Sequence, residues 1–283
     1  MRIDDLDRER CSIEAEEAQI AALAWLGLDF DGPPKRQTAD MGLYREALEQ
    51  LAAKDLVFVC DRSRRDLRAA AEALGAPHES GSTIISTPSM RPEAPEAWSL
   101  GSGEVNHRLA LPPGEESVLD EFMGPSTFDP VQAFGDPILW TRKDAPAYQL
   151  ATVVDDMVDG ITDVVRGEDL LPSAALQQRI GALLGAPNPR WWHLPLIHDA
   201  DGRRLAKRDD DQTLESLRLR GIAPERVVGL LARTCEVQST LAPMSADDFL
   251  TALDPASLQK WAQRESATGG YRLRPEELNW LQE

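Results

Sequence analysis

The stretch from Pro146 to Leu171 constrains this chain more than any other. In Pro146-Ala-Tyr-Gln-Leu-Ala-Thr-Val-Val-Asp-Asp-Met-Val-Asp-Gly160, apolar residues recur at helical steps, which puts Leu150, Val153, Val154 and Met157 on one side. Tyr148 and Thr152 lie four apart and share another stripe of the same helix. Gly160 suits the left-handed residue that ends such a helix. Ile161 to Val165 is short and rich in β-branched residues, so it reads as a strand with Arg166 and Gly167 at its carboxyl end. A new helix follows from Asp169 or Ser173. Open α/β sheets hold their ligands at the carboxyl ends of strands. Arg166 there has the planar fork that grips a carboxylate or a phosphate, and a surface salt bridge is the competing reading.

The chain has 283 residues, enough for one large domain or two modest ones with an ample core. Charged residues make up 28% and hydrophobic ones 42%, an ordinary globular balance. No apolar run approaches the roughly 20 residues of a membrane span, so no membrane partner is expected. Met1-Arg-Ile-Asp-Asp-Leu-Asp lacks the apolar stretch of a signal peptide. Cys11, Cys60 and Cys235 are far apart and odd in number, which suggests reduced thiols in a cytoplasm. The net charge of −18 argues by itself against nucleic acid. Basic residues nevertheless cluster at Arg62, Arg64, Arg65 and Arg68, and again at Arg203, Arg204, Lys207, Arg208, Arg218 and Arg220. Such patches can hold a polyanion on an acidic protein, or can be solvated helix faces.

The opening stretch also carries a resemblance. Tyr148-Gln-Leu-Ala-Thr-Val-Val-Asp-Asp156 followed by Val164-Val-Arg-Gly-Glu-Asp-Leu-Leu171 resembles the catalytic core of glutamyl-tRNA synthetases, most of all their short relatives, the glutamyl-Q tRNA(Asp) synthetases. The resemblance runs from Arg2 to about Ala232. It implies that Tyr148 and Arg166 contact a glutamate substrate, with Thr152 counted beside them. Arg2-Ile-Asp-Asp-Leu-Asp-Arg8 resembles the family's Arg-Ile-Glu-Asp-Leu-Asp-x-x-Arg, whose glutamate binds the substrate ammonium. Asp4 takes that place, one methylene shorter. Gly202-Arg-Arg-Leu-Ala-Lys-Arg208 is similar to the Lys-Met-Ser-Lys loop of class I synthetases. That similarity implies Lys207 against the ATP triphosphate, with Arg204 at the first basic position, offsetting charge as pyrophosphate departs. Read alone, the cluster is a solvated turn.

In the rest of the chain, Glu14–Leu26 and Tyr44–Lys54 read as helices and Leu56–Cys60 as a strand. The family places a small insertion here, often built on zinc through Cys-x-Cys and a later Tyr-x-x-x-Cys. Only Cys60 matches, Arg62 stands at the second position, and His78 and His107 lack ligand spacing, so the zinc site is expected to be lost. Residues 77–95 read as a loop. Trp98–Phe122 should be strand and turn, and Gly135-Asp-Pro-Ile-Leu-Trp-Thr-Arg142 a strand similar to the family's Gly-Asp-Phe-Val-Leu-Arg-Arg. Trp191-Trp-His-Leu-Pro-Leu-Ile197 reads as a buried strand, with His193 a core histidine bonded through one nitrogen. Everything after residue 208 reads as helices, including a hairpin around Gly221 and a helix capped by Ser245.

The resemblance implies a class I nucleotide-binding, Rossmann-like parallel-sheet domain (1–55 and 128–208), an insertion (56–127) and a helical carboxyl-terminal region (209–283). Its ATP-binding His-Ile-Gly-His motif has no counterpart among His78, His107, His193 and His198. The expectation is that this segment and the first strand of the sheet are missing ahead of Met1, leaving neighbouring strands without partners. The implied activity is ATP-dependent activation of L-glutamate, with Mg2+, and transfer to the queuosine base at the wobble position of tRNA(Asp). A monomer is expected. The alternatives are a truncated enzyme that charges tRNA(Glu), and a non-catalytic glutamate- or tRNA-binding relative.

Overall fold

The computed structural model describes residues 1–62, 88, 91–92, 105–205 and 213–281. The stretch from Pro146 to Leu171 folds as a helix, a strand and a second helix. Helix α4 (Tyr148–Val158) follows, in chain order, α1 (Ile13–Trp25), α2 (Met41–Ala52) and the short α3 (Pro130–Phe134). Gly160 is left-handed at φ 65°, and the Gly160 and Ile161 amides donate back to the carbonyls of Met157 and Asp156. This double cap uses the amide of Ile161, so the strand begins two residues later than the β-branched run suggests, at Asp163–Gly167. A 3-10 turn at Glu168–Leu170 then leads into α5 (Leu171–Leu184), with Pro172 in its first turn.

The strand Asp163–Gly167 is β9. It pairs in parallel with β10 (Arg190–Leu194), placing His193 opposite Arg166. Beyond β10 lie β5 (Glu116–Asp120), also parallel to it, and β6 (Gly124–Phe128), which forms a hairpin with β5. The order is β6-β5-β10-β9. The sheet that carries Arg166 therefore draws two strands from the segment 56–127. A second four-stranded sheet is antiparallel, in the order β3 (Val57–Cys60), β4 (Asn106–Leu109), β7 (Ile138–Thr141) and β8 (Ala145–Pro146). Among the described residues, β1 (Arg2–Ile3) pairs only with β2 (Lys35–Arg36). β9 is an edge strand, and Val165 on it is 61% exposed.

Three apolar clusters hold these layers. Tyr44, Leu48 and Leu51 of α2 pack with Leu109, Leu139, Leu150, Val154, Leu176 and Ile180, joining α2, α4 and α5 to the antiparallel sheet. Ala174 and Ala175 of α5 lie on Val118 and Trp191 of the parallel sheet. The third cluster joins Phe122 to Leu230, Trp261, Tyr271 and Leu273, so the carboxyl-terminal region packs directly on the β5–β6 turn.

That region contains α6 (Leu214–Leu219), α7 (Pro224–Thr234), α8 (Ala246–Ala252), α9 (Pro255–Ala267) and α10 (Pro275–Trp280). Ser245 caps α8 by accepting from the Asp248 amide, and Gly221 turns the chain between α6 and α7 at φ 76°. It is not wholly helical. After α9, Gly269 and Gly270 both take positive φ, and β12 (Tyr271–Arg272) lies parallel to β11 (Ile197–His198). A methyl at Gly270 would sit 2.5 Å from the Leu196 carbonyl oxygen, so the close approach needs a glycine. Two residues are too few to show a strand period. No helix among the described residues is long and apolar enough to cross a membrane.

Candidate functional site

Arg166 sits on the last turn of pleat of β9, where β9, β10 and the start of α4 converge. Its Nε donates to His193 Nε2 at 3.0 Å, Nη1 to Gln177 Oε1 at 2.8 Å and Nη2 to the Leu170 carbonyl at 3.2 Å. The guanidinium also lies 4.9 Å from the centre of the Trp191 ring. Three of its five N–H groups are thereby used, and the Tyr148 hydroxyl lies beside the remainder. No carboxylate among the described residues forms an ion pair with it. The surface-salt-bridge reading therefore has no partner there. Burial pushes the Arg166 pKa below its ordinary value, opposed by the nearby Tyr148 hydroxyl and the charges of Asp156 and Asp169. A half-buried cation with no carboxylate in ion-pair contact among the described residues is chemically complementary to a carboxylate.

The side chains that hold Arg166 form a continuous chain. His193 is fully buried, and its Nδ1 meets Asp120 Oδ2 at 2.6 Å. Because Nε2 accepts from Arg166, the proton belongs on Nδ1, pointing at Asp120. Burial works to raise the Asp120 pKa. The His193 side chain and the amides of Met123, Phe122 and His193 outweigh it, and the carboxyl ends below its usual range. On the other flank, Gln177 donates onward to Gln149 Oε1 at 3.0 Å. His193 thus uses both nitrogens, where the sequence suggested one. Its role was hidden because only the β9–β10 register brings it opposite Arg166. Asp120 and Gln177 carry no local sequence signal at all.

The other expected residues divide into two groups. Tyr148 opens α4, is 50% exposed and neighbours Arg166. Thr152, one turn on, is buried with an Oγ1 that has no hydrogen-bond partner among the described residues. Arg204 donates to Asp169 at 2.7 Å, which pins the turn at residues 199–203 to the segment just after β9. Asp4 has no direct contact with Arg166 by hydrogen bond or ion pair. Arg2 joins it, at 2.8 Å, to Asp156 at the far end of α4, and no such bond links Asp4 to Tyr148. Asp155 beside it is buried between Gln37 and Tyr44, and burial raises its pKa against their hydrogen bonds. Lys207 lies outside the described residues, as do Arg64, Arg65, Arg68, Arg208 and His78. Cys60 is buried at the end of β3, and no group of three or more metal-ligating side chains occurs among the described residues.

The family model for the class I tRNA synthetases (E and Q), catalytic domain, matches residues 1–262. A glutamyl-Q tRNA(Asp) synthetase of Symbiobacterium thermophilum is 37% identical over 272 residues, which cover 92% of this chain and 83% of that protein. A glutamate–tRNA ligase of Methylorubrum extorquens is 35% identical over 268 residues, covering 93% of this chain but 55% of the ligase. Among solved structures, the glutamate-tRNA synthetase of Elizabethkingia anophelis superposes with a TM-score of 0.78 at 25% identity. That match covers 99% of this chain and 62% of the synthetase, so the chain spans about three fifths of that structure's length.

Proposed function

The chain belongs to the class I tRNA synthetases of the glutamate and glutamine group, and from that membership we propose that it activates L-glutamate with ATP and passes the glutamyl group to tRNA. The acceptor in this reading is the queuosine base at the wobble position of tRNA(Asp). What supports it over tRNA(Glu) is that relatives at 34–38% identity over most of the chain are glutamyl-Q tRNA(Asp) synthetases.

The observation that carries the reading is the Arg166 guanidinium, half-buried and without a carboxylate partner among the described residues. The N–H groups left on its terminal nitrogens donate to the side-chain carboxylate of glutamate, with the Tyr148 hydroxyl beside it. In the first step the α-carboxylate of glutamate attacks the α-phosphorus of ATP. Glutamyl-adenylate forms and pyrophosphate leaves. In the second, a hydroxyl of the acceptor attacks the activated carbonyl and AMP leaves. No side chain of the protein becomes covalently attached, so its contribution is positioning and charge stabilisation. Asp4 is assigned the substrate ammonium, which requires it to exchange Arg2 for substrate. Arg204 and Lys207 are assigned the phosphates, with Mg2+ as the expected counter-ion. The pattern Cys60-Asp-Arg62 does not fit a zinc ligand pair, so no step is assigned to zinc. A cytoplasmic monomer completes the proposal.

Binding selectivity tests the central assignment. Calorimetric titration should show L-glutamate bound and L-glutamine bound far more weakly, because an amide cannot neutralise Arg166. Equal affinity for the two would remove the basis of the reading. Glutamyl transfer to tRNA(Glu), with none to queuosine-containing tRNA(Asp), would instead assign the chain to the ligase activity.

A further inference from the structure

A second concentration of unpaired cations lies away from Arg166, in the carboxyl-terminal region. Arg233 near the end of α7, Arg264 of α9, and Arg272 and Arg274 on and after β12 line a cleft of about 450 Å³, together with Glu236 and Glu265. Both glutamates are engaged by Arg264, at 2.9 Å each. The side chains of Arg233, Arg272 and Arg274 form no hydrogen bond or ion pair among the described residues. Three guanidinium groups without an ion-pair partner among the described residues around one cleft are unusual for a chain of net charge −18, where carboxylates outnumber cations by 48 to 30. Mutual repulsion makes such a grouping unfavourable unless an anion offsets it.

The cleft adjoins the basic turn. The guanidinium of Arg272 lies against Gly202, where a methyl group would come within 3.1 Å of it. β12 carries Arg272 and is hydrogen-bonded to β11, the strand that enters the turn containing Arg203 and Arg204. Arg272 thus places the cleft beside the turn, and the two make an extended basic strip in which Arg204 is paired with Asp169. A strip suits a repeating anion, with phosphates spaced along a backbone, better than it suits a single small ion.

We propose that the Arg233–Arg272–Arg274 cleft is a phosphate-binding subsite that grips the sugar–phosphate backbone of the RNA acceptor. This rests on the proposed function, since it names where that acceptor is held. Arginine suits the task because its fork reaches two phosphate oxygens at once. Contacts of this kind set orientation and affinity and read no base.

The test is equilibrium binding of fluorescently labelled queuosine-containing tRNA(Asp) to the full chain across a range of salt concentrations. The variant combining Arg233→Gln, Arg272→Gln and Arg274→Gln should bind at least about 10-fold more weakly at low salt, with the salt slope reduced by about two to three. Its calorimetric affinity for glutamate should match wild type, which also reports that it has folded. Glu236→Gln, which frees part of Arg264, should tighten RNA binding by about 2-fold to 5-fold. Unchanged RNA affinity and salt slope in the triple variant would overturn the proposal. So would tight binding of inorganic phosphate in the cleft that tRNA fails to displace, because that is the behaviour of a free-anion site. Cleft-dependent RNA binding without any glutamyl transfer would leave the subsite standing and remove the activity assigned above.

Discussion

At the scale of single residues, the chemistry gathers around Arg166. Replacing it with lysine keeps the charge and loses the fork. Glutamate binding should then weaken by roughly 1.5–3 kcal/mol, the worth of a hydrogen bond to a charged group. Calorimetry of Arg166→Lys decides this, and an unchanged affinity would make Arg166 a purely structural cation. Its support through His193 and Asp120 has a pH signature. The Asp120 pKa is depressed in the folded state, so its stabilising contribution is fully present above the unfolded value of about 3.9 and is lost as pH falls through the folded value. Asp120→Asn lacks that contribution. In urea melts the gap between wild type and variant should be wider at pH 6 than at pH 3, and a constant gap would refute the depressed carboxyl. Arg166 and Tyr148 were legible in the sequence because they sit in one local run with a specific pattern. His193 and Asp120 were not, because their contact with Arg166 arises from strand register across residues distant in sequence.

At the scale of elements, long periodic segments were readable and short ones were not. Helices α2, α4 and α7 begin or end within a few residues of where apolar spacing and glycine placed them. β9 started two residues late because backbone capping took the amide of Ile161, a competition that side-chain composition does not reveal. Gly229 shows the same limit. It lies inside α7, where propensity alone favours alanine by about 1 kcal/mol. A methyl group there would sit 2.0 Å from the Ala242 carbonyl oxygen, since the segment around Ala242 crosses the helix at that point. Gln238 fastens the crossing by donating to the carbonyls of both Gly229 and Ala242 at 2.9 Å. Overpacking of this kind costs about 1–3 kcal/mol and outweighs the propensity gain. Gly229→Ala should therefore lower the urea midpoint, and a raised midpoint would show that the crossing yields easily.

At the scale of the whole molecule, the carboxyl-terminal region shares its core with the parallel sheet. Gln259 and Gln263 of α9 donate to the carbonyls of Glu121 and Phe122 at 2.5 Å and 2.7 Å. Ser266 is bonded to Glu168, just past the end of β9, and Trp261 packs among Phe122, Tyr271 and Leu273. The sequence showed helices here and nothing of where they dock, because docking depends on contacts between residues far apart in the chain. Trp261→Ala should lose roughly 3–5 kcal/mol. Sheet and carboxyl-terminal helices should still unfold in one transition when followed by far-ultraviolet dichroism and tryptophan fluorescence. Two separated transitions in wild type would show that the shared core does not couple them.

The β11–β12 pairing also sets an order of events during synthesis. Ile197 waits for Tyr271, some seventy residues later, before its ladder can close. At about 5–20 residues per second that interval lasts roughly 4–14 seconds. The strands β5, β6, β9 and β10 have all been made before it begins, so the sheet bearing Arg166 can assemble, and Arg204 can reach Asp169, while the outer side of β11 still lacks its partner. A nascent chain therefore passes through a period in which Arg166 already has its neighbours His193 and Gln177 and Arg272 has not yet reached Gly202.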